Sequence, residues 1–190
     1  MSPPNAKFGQ VRLRGQGLTL VELMVTLVIT AVLMAVAIPS MQQLIAKRRV
    51  AGVANELLTD LRYLRSVGVQ NAVMVQLDFG SNLAGTCYAL STNKYGEVNC
   101  DCTRPDTCNG VETAPSVVKT VTLQRSDGVT VSSNLSPLRF SGPSAMPEGN
   151  ATIRATVSSN QGGTARVWTN TAGRAFACSV SGQESSFPAC

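Results

Sequence analysis

The stretch GLTLVELMVTLVITAVLMAVAIPS, residues 17–40, decides how this chain is built. From Leu18 to Ile38 it is apolar except for Thr19, Glu22, Thr26 and Thr30. As a helix that segment is on the order of 30 Å long, the thickness of a bilayer core. A secretory signal peptide has a shorter apolar region that ends in small residues at a cleavage site. A buried core helix seldom carries so little polar surface over this length. A plain membrane anchor fits the length but leaves Glu22 without a role, because a lone carboxylate near the lipid-facing end of a helix costs a few kcal/mol unless something partners it.

The run Gly17-Leu18-Thr19-Leu20-Val21-Glu22 resembles the type III signal of type IV pilins and type II secretion pseudopilins. The resemblance implies that a prepilin peptidase cuts between Gly17 and Leu18 on the cytoplasmic side and that the new N-terminus is methylated. Glu22 is then the fifth residue of the mature chain and Pro39 the twenty-second, both positions typical of that family. The leader holds Lys7, Arg12 and Arg14 with no acid, which also fits. Leu18 departs from the pattern, since phenylalanine is commoner there. Cleavage leaves a positive amine in a dry setting. Glu22 of a neighbouring subunit can neutralise it, so that the pair forms as subunits stack. The competing role for Glu22 is to favour the start of its own helix, one turn away.

Charge is low, at 14% of residues, and unevenly placed. Lys47, Arg48 and Arg49 follow the apolar run, and from Val50 onward ten basic residues meet ten acidic ones. Such a balance is unlike that of a protein that holds polyanions nonspecifically. The three basic residues on each side of the span leave its orientation undecided. The cysteines decide it. Cys87, Cys100, Cys102, Cys108, Cys178 and Cys190 all lie after the span, as expected of disulfides in an oxidising compartment. Cys178 with Cys190 would close a C-terminal loop. The group from Cys100 to Cys108 would staple a long one, with Cys87 also available. Metal binding is disfavoured, because the Cys100-Asp101-Cys102 to Cys108 spacing is not a usual zinc pattern and the chain has no histidine.

After Pro39 the helical pattern resumes. Val50, Val53, Leu57, Leu61 and Leu64 form an apolar stripe at spacings of three and four. One helix from about Leu18 to about Val69 is expected, kinked near Pro39 and loosened at Gly52. Strand patterns follow at Val73–Phe79, Cys87–Thr92, Val117–Gln124, Val129–Ser132, Leu138–Phe140, Ala151–Val157, Ala165–Thr169 and Arg174–Ser179. Ser126-Asp127-Gly128 reads as a hairpin turn, and Asn170-Thr171-Ala172-Gly173 as another. Ser81–Gly85 and Asn99–Ser116 read as loops. The fold class is α+β, a long N-terminal helix against an antiparallel β-sheet head. The divisions are a leader at 1–17, a membrane and assembly half-helix at 18–38, a second half at 39–69 and a β-rich head at 70–190.

This order resembles the GspH/FimT branch of pilin-like proteins, FimU among them. The likeness is carried by Ala54-Asn55-Glu56-Leu57-Leu58-x-Asp60-Leu61-Arg62-x-x-Arg65-Ser66 and by Ala165-Arg166-Val167 with Gly173-Arg174. It implies a minor pilin of a type IV pilus, in the priming or tip complex. A minor pseudopilin of a type II secretion system is the alternative. The partners implied are other pilins or pseudopilins, the peptidase and an inner-membrane assembly platform. The head would lie in the periplasm, and later on the cell surface. Some relatives bind DNA through Gly-Arg-x-Arg, but here the run is Gly173-Arg174-Ala175-Phe176 and the second arginine is missing. Arg154, Arg166 and Arg174 are the residues available for such a role. No cofactor is expected, and no enzyme: without histidine, Ser-His-Asp and Cys-His arrangements are impossible, and no phosphate-binding loop of the Walker kind is present.

Overall fold

The computed structural model describes residues 19–93, 100–104, 116–142, 144, 146–150, 152–180 and 187–190. Helix α1 spans Leu20–Asn71, with Pro39 inside it. Eight strands follow: β1 Met74–Asn82, β2 Gly85–Asn93, β3 Ser116–Gln124, β4 Val129–Ser133, β5 Leu138–Phe140, β6 Arg154–Ser159, β7 Thr164–Thr169 and β8 Ala175–Ser179. The chain divides into two compact units, 1–40 and 41–190.

In the second unit, α1 buries Val50, Ala54, Leu57, Leu61 and Leu64. The expected stripe holds, with Val53 partly buried against the core and Ala54 added to it as a fully buried residue. Its spacing of three and four keeps these side chains on one face. Burying each leucine contributes about 1.5–3 kcal/mol. The stripe packs with the inward residues of two sheets in a single core.

One sheet has the order β3-β2-β1-β5 and the other β4-β6-β7-β8, with every strand pairing antiparallel. This corrects the reading of Ser126-Asp127-Gly128 as a hairpin turn. Strands β3 and β4 belong to different sheets, and the segment carries the chain from one to the other. Arg125–Asp127 forms a 3-10 turn whose Asp127 carboxylate accepts from the Gln124 backbone N–H at 3.1 Å. Arg49 on α1 donates from Nη1 to the Asp127 carbonyl at 3.2 Å, which holds this crossover against the helix. One member of the basic trio after the span therefore has a structural partner. Ser81–Gly85, expected as a loop, is mostly strand. Only Leu83 and Ala84 turn, and Asn82 Oδ1 accepts from the N–H groups of Ala84 and Gly85.

Strand β1 is buried on both faces. Val75 and Leu77 face α1, while Gln76 and Asp78 lie on the other side and are also buried. There they share a face with Cys87, Ala89 and Ser91 of β2. The Cys87–Cys102 disulfide brings the segment around Cys100–Cys102 onto this side, forming a small second core.

A polar link ties α1 to the first sheet. Asp60, 6% exposed, accepts from the Tyr88 hydroxyl at 2.8 Å and from Lys119 Nζ at 2.8 and 2.9 Å. Lys119 also reaches Glu56 at 2.8 Å. A buried carboxylate is tolerated only when it is bonded in this way. Burial, followed by the hydrogen bond and charge of Asp60, raises the Tyr88 hydroxyl above its ordinary pKa. Burial opposes the charge on Lys119, but its bonds to Asp60 and Glu56 outweigh that and raise its amine.

Candidate assembly segment and arginine-lined face

The first candidate is the start of α1. Thr19 stands at the N-cap, its Oγ1 accepting from the Glu22 N–H at 3.2 Å. Thr19-Leu20-Val21-Glu22 thus has the spacing of a capping box, which explains why the helix begins here. Glu22 lies in the first turn and is exposed, where a negative charge complements the helix dipole. Thr26 and Thr30 satisfy their hydroxyls on the backbone carbonyls of Leu23 and Thr26. The polar residues of the segment, Glu22 excepted, are therefore spent within the helix.

What remains is an apolar surface. Every described residue from Thr19 to Ile45 is exposed. The most apolar part of α1 has a mean hydropathy of 2.5 and no residue buried within the chain, and it is long enough to cross a membrane. So large an apolar surface requires lipid or protein around it. Gly17 and Leu18, the expected processing residues, lie outside the described residues. Pro39 lies within α1, which is assigned as helix on both sides of it.

The cysteines form the links expected at one end and a more specific one at the other. Cys178–Cys190 closes the C-terminal loop, and Cys87–Cys102 joins β2 to the segment after β2. Cys100 is disulfide-bonded as well. Cys108 lies outside the described residues. Among the described residues no group of three or more His, Cys, Asp or Glu side chains is placed to hold a metal ion.

The second candidate is the outer face of the second sheet. Arg154 on β6, Trp168 on β7 and Phe176 on β8 are directly opposite one another across the strands, so they share a face. Arg166 lies two residues from Trp168 on that face. Trp168 and Phe176 stack with ring centroids 4.8 Å apart and planes at 26°. Arg154, Arg166 and both rings line an open groove of about 460 Å³, bounded by the Cys178–Cys190 disulfide and Pro188. Arg174 lies elsewhere, in an adjoining groove of about 340 Å³ with Arg62 and Arg65 of α1, and Phe176 lines both. The turn that places Arg174 is closed by bonds from Asn170 N–H to the Arg174 carbonyl and from Gly173 N–H to the Asn170 carbonyl. Gly173 has φ +72°, a conformation that glycine adopts at little cost.

The sequence reading singled out Arg154, Arg166 and Arg174 but not Arg62, Arg65, Trp168 or Phe176. The rings face each other because five residues, 170–174, join β7 to β8, one more than the turn read from the sequence, and this sets Trp168 opposite Phe176. The approach of α1 to that turn is a tertiary contact with no local signal.

Comparison with known proteins gives a motif at one end and a fold for the rest. Residues 12–38 match the prokaryotic N-terminal methylation motif. The type IV minor pilin FimU of Pseudomonas aeruginosa strain PAO1 is similar in structure. One crystal form gives a TM-score of 0.50 at 15% identity, covering 68% of this chain and 88% of that one. A second form gives 0.46 at 16% identity, covering 67% and 90%. No curated protein sequence matches the chain. The long helix and antiparallel head are those of the pilin fold.

Proposed function

A chain that joins the N-terminal methylation motif to a pilin fold is the premise from which we propose its function: a minor pilin, assembled into a type IV pilus through α1 and acting in the complex that primes or tips the filament. The observation that carries this reading is the uncovered apolar helix. The described residues from Thr19 to Ile45 are exposed, so the stable environments of this surface are lipid before assembly and the helices of neighbouring subunits after it.

In this mechanism the peptidase removes residues 1–17 and exposes the Leu18 amine. The C-terminal head lies outside the inner membrane, where its disulfides form. Each subunit entering the filament sets its amine near a Glu22 carboxylate of a neighbour, or presents its own Glu22 to a neighbour's amine. Desolvation makes either charge costly alone, and contact between chains removes both penalties. The role of the protein is structural. Disulfides close two parts of the head, as suits a domain exposed outside the cell, and this favours the pilus over a secretion pseudopilus.

The test is Glu22→Ala expressed from its own locus. The variant should insert in the membrane and lose its leader as the native chain does, yet be depleted from sheared filaments. Glu22→Ala found in filaments at the native level would overturn the interchain pair. A deletion strain that keeps its pili but fails to secrete folded exoproteins would instead place the chain in a secretion system.

A further inference from the structure

The head carries a charge pattern that filament assembly does not use. Five of the ten basic residues after Arg49 lie around the two grooves: Arg62, Arg65, Arg154, Arg166 and Arg174. Among the described residues none of the five side chains makes an ion pair or a hydrogen bond, and no Asp or Glu side chain lines either groove. Of the described acids, Asp60 and Glu56 hold Lys119, and Asp127 closes its turn. The arginines are thus left for an outside anion, which the planar guanidinium binds through paired bonds to a carboxylate or phosphate.

Two further features select among anions. Trp168 and Phe176 are 36% and 40% exposed on the same face, and large aromatic surfaces of this kind pack against the apolar face of a ring. Because the two rings stack on one another, no slot between them admits a base. Beyond Arg154 and Arg166 the face continues as hydroxyls. Thr130 and Ser132 of β4 stand directly opposite Ser158 and Thr156 of β6, with Thr164 of β7 beside them. A field of neutral hydroxyls matches a ligand that is itself rich in hydroxyls.

We propose that this face binds an acidic polysaccharide of the polyuronate kind, its sugar rings lying on Trp168 and Phe176 and its carboxylates held by Arg154 and Arg166. The hydroxyl field engages the sugar hydroxyls on one side. On the other, the polymer leads to the second groove, where Arg174 stands with two arginines of α1. The surface lies wholly within the unit 41–190, and the proposal does not depend on filament assembly.

Trp168 is the only tryptophan in the chain, so its fluorescence reports on the site directly. The full chain in detergent micelles is titrated with an oligogalacturonate, with a neutral galactan of equal length and with single-stranded DNA. The expected result is a saturable emission change with the uronate, weakened by added salt and absent with the galactan. The double variant R154Q/R166Q should bind about tenfold more weakly, the scale of lost charge-assisted bonds. A response to the galactan equal to that with the uronate, or no saturable change with the uronate, overturns the proposal. So does DNA displacing the uronate at lower concentration, which would make this a nucleic-acid face. Undiminished binding by the folded double variant also overturns it. Should that variant not fold, the salt titration and the galactan comparison on the native chain decide instead.

Discussion

Replacing Asp78 with asparagine should stabilise the head at neutral pH, against the usual outcome of a core substitution. Asp78 is 3% exposed on the covered face of β1, and its Oδ2 has no hydrogen-bond partner. Burial raises its carboxyl from 3.8 to about 6, against the Cys100 N–H bond, the charge of Arg139 and a bond to Gln76, while Asp101 adds a smaller push upward. Below about pH 4 the group is protonated in both folded and unfolded chains. Between 3.8 and about 6 the unfolded chain gives up its proton while the folded chain keeps it, so stability falls as pH rises through this window. Above it the full penalty applies. The difference in proton affinity corresponds to about 3 kcal/mol, at 1.36 kcal/mol per tenfold change. The asparagine amide would keep an acceptor for the Cys100 N–H but remove the charge that Arg139 meets, which takes back part of the gain. The expected net effect of Asp78→Asn is about 1–3 kcal/mol of added stability at about pH 7.5, shrinking towards zero at about pH 4. Urea unfolding of a fragment from Met41, followed by circular dichroism at both values, measures it. A loss of stability at about pH 7.5 that shrinks towards zero at about pH 4 would show instead that the ionised carboxylate with Arg139 stabilises the fold, and the expectation would fail.

Three other substitutions probe contacts in the same head. Tyr88→Phe removes one of the bonds to buried Asp60 and should cost about 1–2 kcal/mol in urea unfolding, with Lys119 still in place. The paired change Cys178→Ser with Cys190→Ser reopens a loop with a sequence separation of 12 and should cost about 2–3 kcal/mol, seen as a lower thermal midpoint under non-reducing conditions. A Cβ at Gly142 would sit 2.6 Å from the backbone of Ala72 and Val73, so Gly142→Ala must move main chain and should cost about 1–3 kcal/mol. Unchanged thermal stability in Gly142→Ala would mean that the end of α1 gives way freely there.

The legible parts of this fold are those fixed by local periodicity. The apolar run, the stripe from Val50 to Leu64 and all eight strands announce themselves at spacings of four and three or of two. What was not legible depends on long-range partners. Ser126-Asp127-Gly128 has turn chemistry, but whether the next strand pairs back or crosses to another sheet is decided by β6. The polar positions Gln76 and Asp78 look like a solvent face. They are buried because a disulfide-held segment, distant in sequence, lies over them. The candidate sites divide in the same way. Glu22 could be singled out because a carboxylate in an apolar helix is anomalous by itself. The arginine face needed the register of β7 with β8 and the approach of α1, neither of which any window of sequence contains.

Assembly as proposed requires that residues 1–17 be removed, leaving an amine that a Glu22 carboxylate satisfies between subunits. The intact mass of the protein recovered from sheared filaments is decisive on this point. The expected mass is that of a chain that begins at Leu18 and carries one methyl group. Material in filaments that retains Met1–Gly17 would contradict it.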